Sequence, residues 1–321
     1  MRTANPPPAC WVAGILAIAW LLVITACSPT SSSLPAPAVQ DTLSAEVPAP
    51  DLRTATAPLP FEGRSQVPVD EWFEAMRAEL VPIAQSAAVR YEFEWLRQKH
   101  QLPDDDGLFA DYVIVRTAFE ATRAGGLWGL EWRITDQLPQ SDRVWSQWRS
   151  VAVTEGALPA STAIAECDEL SALFAVVARG LGLSRRSRVG LLWPTSNHTV
   201  AVWAFDLPFA ADGDAQGRRE HRREIRIVAP TSQIFLDSAQ SLDTDGFDPW
   251  LQPRIFDYAR RDVPADFTLP ADLARAFIAA VRTHGDTHAG VLQSMRNRRE
   301  YQQRQRTRSA NTQAPPPPDP R

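Results

Sequence analysis

Glu166-Cys167-Asp168-Glu169-Leu170-Ser171-Ala172-Leu173-Phe174, running on through Ala178-Arg179-Gly180-Leu181-Gly182-Leu183, is the stretch whose reading decides the fold. Leu170, Leu173, Phe174, Val177 and Leu181 fall at i, i+3, i+4, i+7 and i+11, so residues 162–180 are predicted to form a helix with one apolar face. Cys167 lies three residues before Leu170 and belongs to that face, and Gly180 and Gly182 stop the helix. Downstream the period changes. Strands are predicted at 188–193, 198–205, 224–228 and 233–236, and in the second of them His198, Val200, Val202 and Ala204 share one face by alternation. The polar residues 211–223 read as a hairpin loop. Upstream, residues 70–101 are helical, with Trp72, Phe73, Met76, Leu80, Ile83, Tyr91 and Trp95 on one stripe interrupted near Pro82. Another helix covers 107–123, a strand 127–134, and a short helix 141–149 carries Trp145 and Trp148. The expected class is α+β: a mostly helical N-terminal half, then a central helix packed on an antiparallel sheet.

The N-terminus carries Arg2, an apolar run over 9–26, and Ile24-Thr25-Ala26-Cys27 followed by Ser28-Pro29. A charged start, an apolar middle and small residues before a cleavage point make a signal peptide, and the four residues ending at Cys27 resemble the lipobox of bacterial lipoproteins. Residues 1–26 are therefore expected to be removed and Cys27 to carry lipid. The competing reading is a retained anchor, because the apolar run just reaches the length that spans a bilayer. On either reading the rest leaves the cytoplasm and faces the periplasm or the exterior at the cell envelope.

Residues 27–66 are rich in Ser, Pro, Ala and Thr and poor in large apolar side chains, a composition that buries too little to order itself. Such a tether reaches roughly 30 Å as a flexible coil and about 100 Å as polyproline II. Residues 293–321, where Arg296, Arg298, Arg299, Arg304, Arg306 and Arg308 interleave with glutamines before a proline run, read as a basic tail. Between them, 67–292 is expected to be a single globular domain. A formal net charge of −5 without a basic stripe in the domain gives no footprint for nucleic acid.

Of three cysteines, Cys10 leaves with the leader and Cys27 takes the lipid, so the mature domain keeps one thiol, Cys167. In an oxidising compartment a lone cysteine is either a small buried hydrophobe or a retained nucleophile. A helix N-terminus and a nearby imidazole both lower a thiol pKa, and Cys167 with His198 supplies both. The run 166–174, the glycine-rich 178–183 and His198-Thr199-Val200-Ala201-Val202-Trp203 together resemble the core of transglutaminase-like proteins in the papain-like superfamily. The resemblance extends over 166–236. It implies attack by Cys167, proton transfer by His198, and an acyl-thioester formed on an amide bond, with hydrolysis ahead of cross-linking.

The family's third catalytic residue is an aspartate, often followed by proline and threonine. Here the run is Ile227-Val228-Ala229-Pro230-Thr231-Ser232-Gln233, with alanine at the acid's place. Gln233 is the chosen substitute for orienting the imidazole, with Asn197 and Asp206 as alternatives. The acidic neighbours Glu166, Asp168 and Glu169 oppose thiolate formation. The favoured function is an extracytoplasmic, lipid-anchored cysteine enzyme acting on peptide, protein or cell-wall polymer; the alternative, prompted by Ala229, is a non-catalytic module that binds peptide or cell-envelope polymer in the same cleft. His284 and His288 are spaced four apart, but no glutamate follows the first and no third ligand is near, so no metal is expected and no cofactor is implied. The mature chain's nine tryptophans are read as core, Trp193 excepted because its loop leads into His198.

Overall fold

The computed structural model describes residues 57–287, apart from 136, 137, 139, 141, 196, 197, 209–221, 233–241, 244, 245, 259–262, 264 and 265. The chain divides into two units, Met1–Asp51 and Leu52–Arg321, and every described residue belongs to the second. The leader, Cys27, most of the tether, His288 and the basic tail lie outside the described residues. Among those described, no helix is long and apolar enough to cross a membrane.

Strand β1 (Gln66–Pro68) leads directly into α1 (Val69–Ala78), whose Trp72, Phe73 and Met76 are buried. Pro82 sits in a one-turn helix, α2 (Leu80–Ala84), and α3 (Ala87–His100) starts anew after Ser86. This restart shifts the register. Tyr91 and Trp95, expected on the apolar stripe, are 71% and 53% exposed, and Val89, Phe93 and Leu96 are buried instead. Helix α4 (Asp106–Thr122) is capped by the Asp105 carboxylate, which accepts from the Leu108 N–H at 2.8 Å.

Only Leu130–Trp132 of the expected 127–134 strand is strand, β2. It pairs in parallel with β3 (Ala163–Ala165), the segment expected to be the first turn of the central helix. The correction has a backbone cause. The Ile164 N–H is taken by the Gln147 side chain of α5 (Arg143–Trp148), and the Ala165 carbonyl accepts from the Arg133 N–H, so neither residue is left to a helical ladder. Helix α6 therefore begins at Cys167 and ends at Gly180.

The antiparallel sheet comprises β4 (Ser187–Thr195), β5 (His198–Pro208), β6 (Arg222–Ala229) and β7 (Phe256–Asp257), in the order β6-β5-β4-β7. Strand β8 (Thr268–Pro270) pairs with β1, and α7 (Ala271–His284) closes the described chain. The class is α+β, with helices first and an antiparallel sheet after α6. The strand expected at 233–236 lies outside the described residues.

The sheet has two buried faces. Val189, Leu191, Ala201, Trp203, Phe205, Ile225, Ile227 and Ala229 join the main core under α6. Leu192, Val200, Val202 and Val228 form a smaller cluster on the opposite face, covered by Phe247 and Ile255. Gly190 allows this cover, because a Cβ there would lie 2.6 Å from the Phe256 carbonyl. Trp72, Trp128, Trp148 and Phe277 pack ring on ring with centroids 4.9–6.0 Å apart. Each such indole removes roughly 150–250 Å² from water, worth at most about 4–6 kcal/mol.

Candidate functional site

Cys167 is the first residue of α6, and a set of acid and amide contacts fixes that helix end. The Glu169 carboxylate reaches back to the Glu166 N–H at 3.0 Å, half of a capping box. Its other oxygen takes the Gln140 N–H and the Arg143 guanidinium, each at 3.0 Å. Glu166 in turn accepts from the Thr135 N–H and hydroxyl at 2.7 and 2.5 Å. Two of the three acids expected to depress thiol reactivity thus have structural work at the helix start.

The Cys167 thiol is half-buried. Burial pushes its pKa up, the Thr199 backbone N–H pulls it down, and the Asp168 charge adds to the rise. The N–H groups of Asp168 and Cys167 itself also favour the thiolate, so three amides converge on the sulfur. The rise prevails. Asp168 is itself held above the ordinary carboxylate value by burial, opposed by its own N–H and that of Glu169, with Glu166 adding to the rise and Arg143 opposing it.

His198 opens β5, as the alternation predicts, and is 7% exposed. Its ring centroid is 5.4 Å from that of Phe247. Burial lowers its pKa. The next residue of β5, Thr199, is 4% exposed, and its backbone N–H is the part of that strand that bears on the Cys167 sulfur.

Ala229 is fully buried on the α6 side and pairs with Ala201. Two residues on, Thr231 reaches α6, its hydroxyl 2.9 Å from that of Ser171. Sequence reasoning missed Ser171 and Thr231, although a hydroxyl four residues after Cys167 and another two after Ala229 were there to be weighed. Asp206 lies near the far end of β5 and is 3.7 Å from Arg188, remote from the cysteine. Gln233 and Asn197 lie outside the described residues, so neither is placed beside His198. His284 ends α7 and Trp193 is 39% exposed. Among the described residues, no group of three or more His, Cys, Asp and Glu side chains has the geometry to hold a metal ion.

Neither a family model nor a curated protein nor a solved structure matches this chain. The functional reading therefore rests on the residues and their geometry.

Proposed function

We propose that this chain is a lipid-anchored, extracytoplasmic protein with a transglutaminase-like core that binds peptide or cell-envelope polymer without turning it over. One observation carries the reading: the position where a catalytic acid is expected is held by Ala229, fully buried in the core under α6, while the buried His198 ring packs against Phe247. A thiol raised by burial, with no acid at position 229 to orient an imidazole for it, is a poor nucleophile at neutral pH. The helix followed by an antiparallel sheet, the cysteine at the helix start and the histidine at a strand start support the core assignment. The lipobox-like run and the Pro/Ser-rich tether support the anchor.

A second reading keeps catalysis. The three amides around the sulfur favour it, since the Cys167 N–H is also where an oxyanion of an acyl-thioester would be held, with Gln233 orienting His198.

Labelling of the mature protein with iodoacetamide across pH separates the two, because Cys167 is then the one free thiol. The binding module labels only at alkaline pH, with the same profile in His198→Ala. Rapid labelling at neutral pH that His198→Ala abolishes would overturn the proposal in favour of the enzyme.

A further inference from the structure

A groove on the far side of the sheet from Cys167 has the makings of a ligand site. Its volume is about 590 Å³, within the range of small-molecule sites. It lies between the end of α3, the outer face of β6, Asp243 and residues 247–250. The Asp243 carboxylate, 8% exposed, binds Lys99 Nζ at 2.8 Å and His100 Nε2 at 2.7 Å, fixing one wall. Arg226 fixes the other. It is 4% exposed, pairs with Glu224, and donates to the carbonyls of Pro249, Gln252 and Pro253 at 2.7–3.0 Å. Its guanidinium also lies 4.2 Å from the Trp250 ring centroid, which holds the indole in place, yet Trp250 remains 51% exposed.

The chemistry of this groove selects its ligand. Three cations, Lys99, Arg223 and Arg226, are balanced by three anions, Glu224, Asp243 and Asp248, so the lining offers no net field to a charged polymer. An apolar ligand would cover ion pairs without satisfying them, which is costly. A neutral sugar ring meets both conditions. Its C–H face covers an indole, and its hydroxyls donate to carboxylates and accept from cations, so the existing pairs need not break. The aromatic surface continues beyond the groove: Gln252 accepts from the Trp193 N–H at 3.3 Å, tying the segment to β4, where exposed Trp193 sits 6.1 Å from Phe256.

We infer that this groove binds an uncharged glycan chain, with Trp250 as the stacking platform and Trp193 as a second contact. The inference deepens the binding-module reading and rests on it for the expectation that the domain holds an envelope polymer. It moves the site from the cysteine cleft to the opposite face of the sheet.

The experiment is calorimetric titration of the full-length protein in detergent with four probes: cellotetraose, the β-1,4-linked N-acetylglucosamine tetramer, the galacturonate tetramer and tetra-alanine. A neutral tetrasaccharide is expected to bind with Kd below about 1 mM, and the acidic tetrasaccharide and the peptide not at that concentration. Trp250→Ala weakens binding at least tenfold and Trp250→Phe retains most of it, whereas Cys167→Ser leaves it unchanged. Heat from neither neutral probe, equal binding by Trp250→Ala, or preference for the acidic or peptide probe overturns the inference. The two proposals fail separately, because the thiol-labelling profile does not depend on the groove. Co-sedimentation with cell-envelope polymer that survives Trp250→Ala would leave the binding-module reading standing and this site refuted.

Discussion

Ser171 Oγ lies 2.9 Å from Thr231 Oγ1 and 2.7 Å from the Cys167 carbonyl oxygen, joining the cysteine helix to the segment that follows β6. A serine has one hydroxyl proton. With that proton given to the Cys167 carbonyl, Thr231 must be the donor of the second bond. Both hydroxyls are fully buried, and the Thr231 carbonyl is also taken, by the Ala124 N–H at 2.8 Å. A small buried polar network thus ties the first turns of α6 to the residues that follow β6.

Ser171→Ala removes the acceptor of the Thr231 hydroxyl and strands it away from water. The expected cost is about 1–3 kcal/mol, read from urea unfolding. Adding Thr231→Val removes the stranded group, so the double variant loses less than the sum of the singles. Strict additivity would show that the two hydroxyls do not act as a pair.

The pH dependence of stability has two opposing contributions near the cleft. His198 is depressed in the folded state, so below its ordinary value of 6.5 the unfolded chain binds the proton first and stability falls with pH. Asp168 is raised, so its contribution is complete below its ordinary 3.8 and is lost as pH rises through the folded value. His198→Gln should therefore flatten the decline in urea midpoint between about pH 7 and pH 5. Asp168→Asn should be at least as stable as the parent at neutral pH, lose that advantage near pH 3.8, and move the thiol-labelling profile to lower pH by removing a negative charge. A labelling profile indifferent to Asp168→Asn would refute the electrostatic account of the thiol.

Arg116 holds the helical half together from within. It is 1% exposed, binds Glu92 at 2.5 Å, and donates to the carbonyls of Gly285 and Asp286 at the end of α7 at 2.6 and 3.3 Å. Arg116→Met leaves Glu92 without its counter-charge and two carbonyls without a donor. A loss of about 3–5 kcal/mol follows, measured by thermal or urea unfolding. A loss under about 1 kcal/mol would class the bridge with surface pairs.

The anchor makes a prediction of its own. Cys27→Ser should release the protein from the membrane fraction or leave it unprocessed, and the parent should incorporate labelled fatty acid. Absence of that label, with Met1 intact by mass spectrometry, would replace the lipoprotein reading with a retained apolar anchor.

Much of the architecture was legible because periodicity is a local property. The 3.6-residue repeat from Leu170 to Leu181 marked α6, and the alternation from His198 marked β5. Where the reading slipped, a partner distant in sequence decided the outcome. Ala163–Ala165 are strand because β2 and the Gln147 side chain claim their backbone groups. Tyr91 and Trp95 face water because α3 restarts after Ser86 in a register set by packing.

The sequence by itself determined α4, α6 and the three long strands after it, their order, and the thiol near the start of α6. Only the tertiary structure decided which side of the sheet α6 covers. Alternation groups His198 with Val200 and Val202, and it groups Thr199 with Ala201 and Trp203, but it is symmetric between the two groups: either face can be the one a helix covers. That choice is made by volume and contact across the whole sheet, where Trp203 and Phe205 fill the space under α6 while Phe247 and Ile255 close the other side.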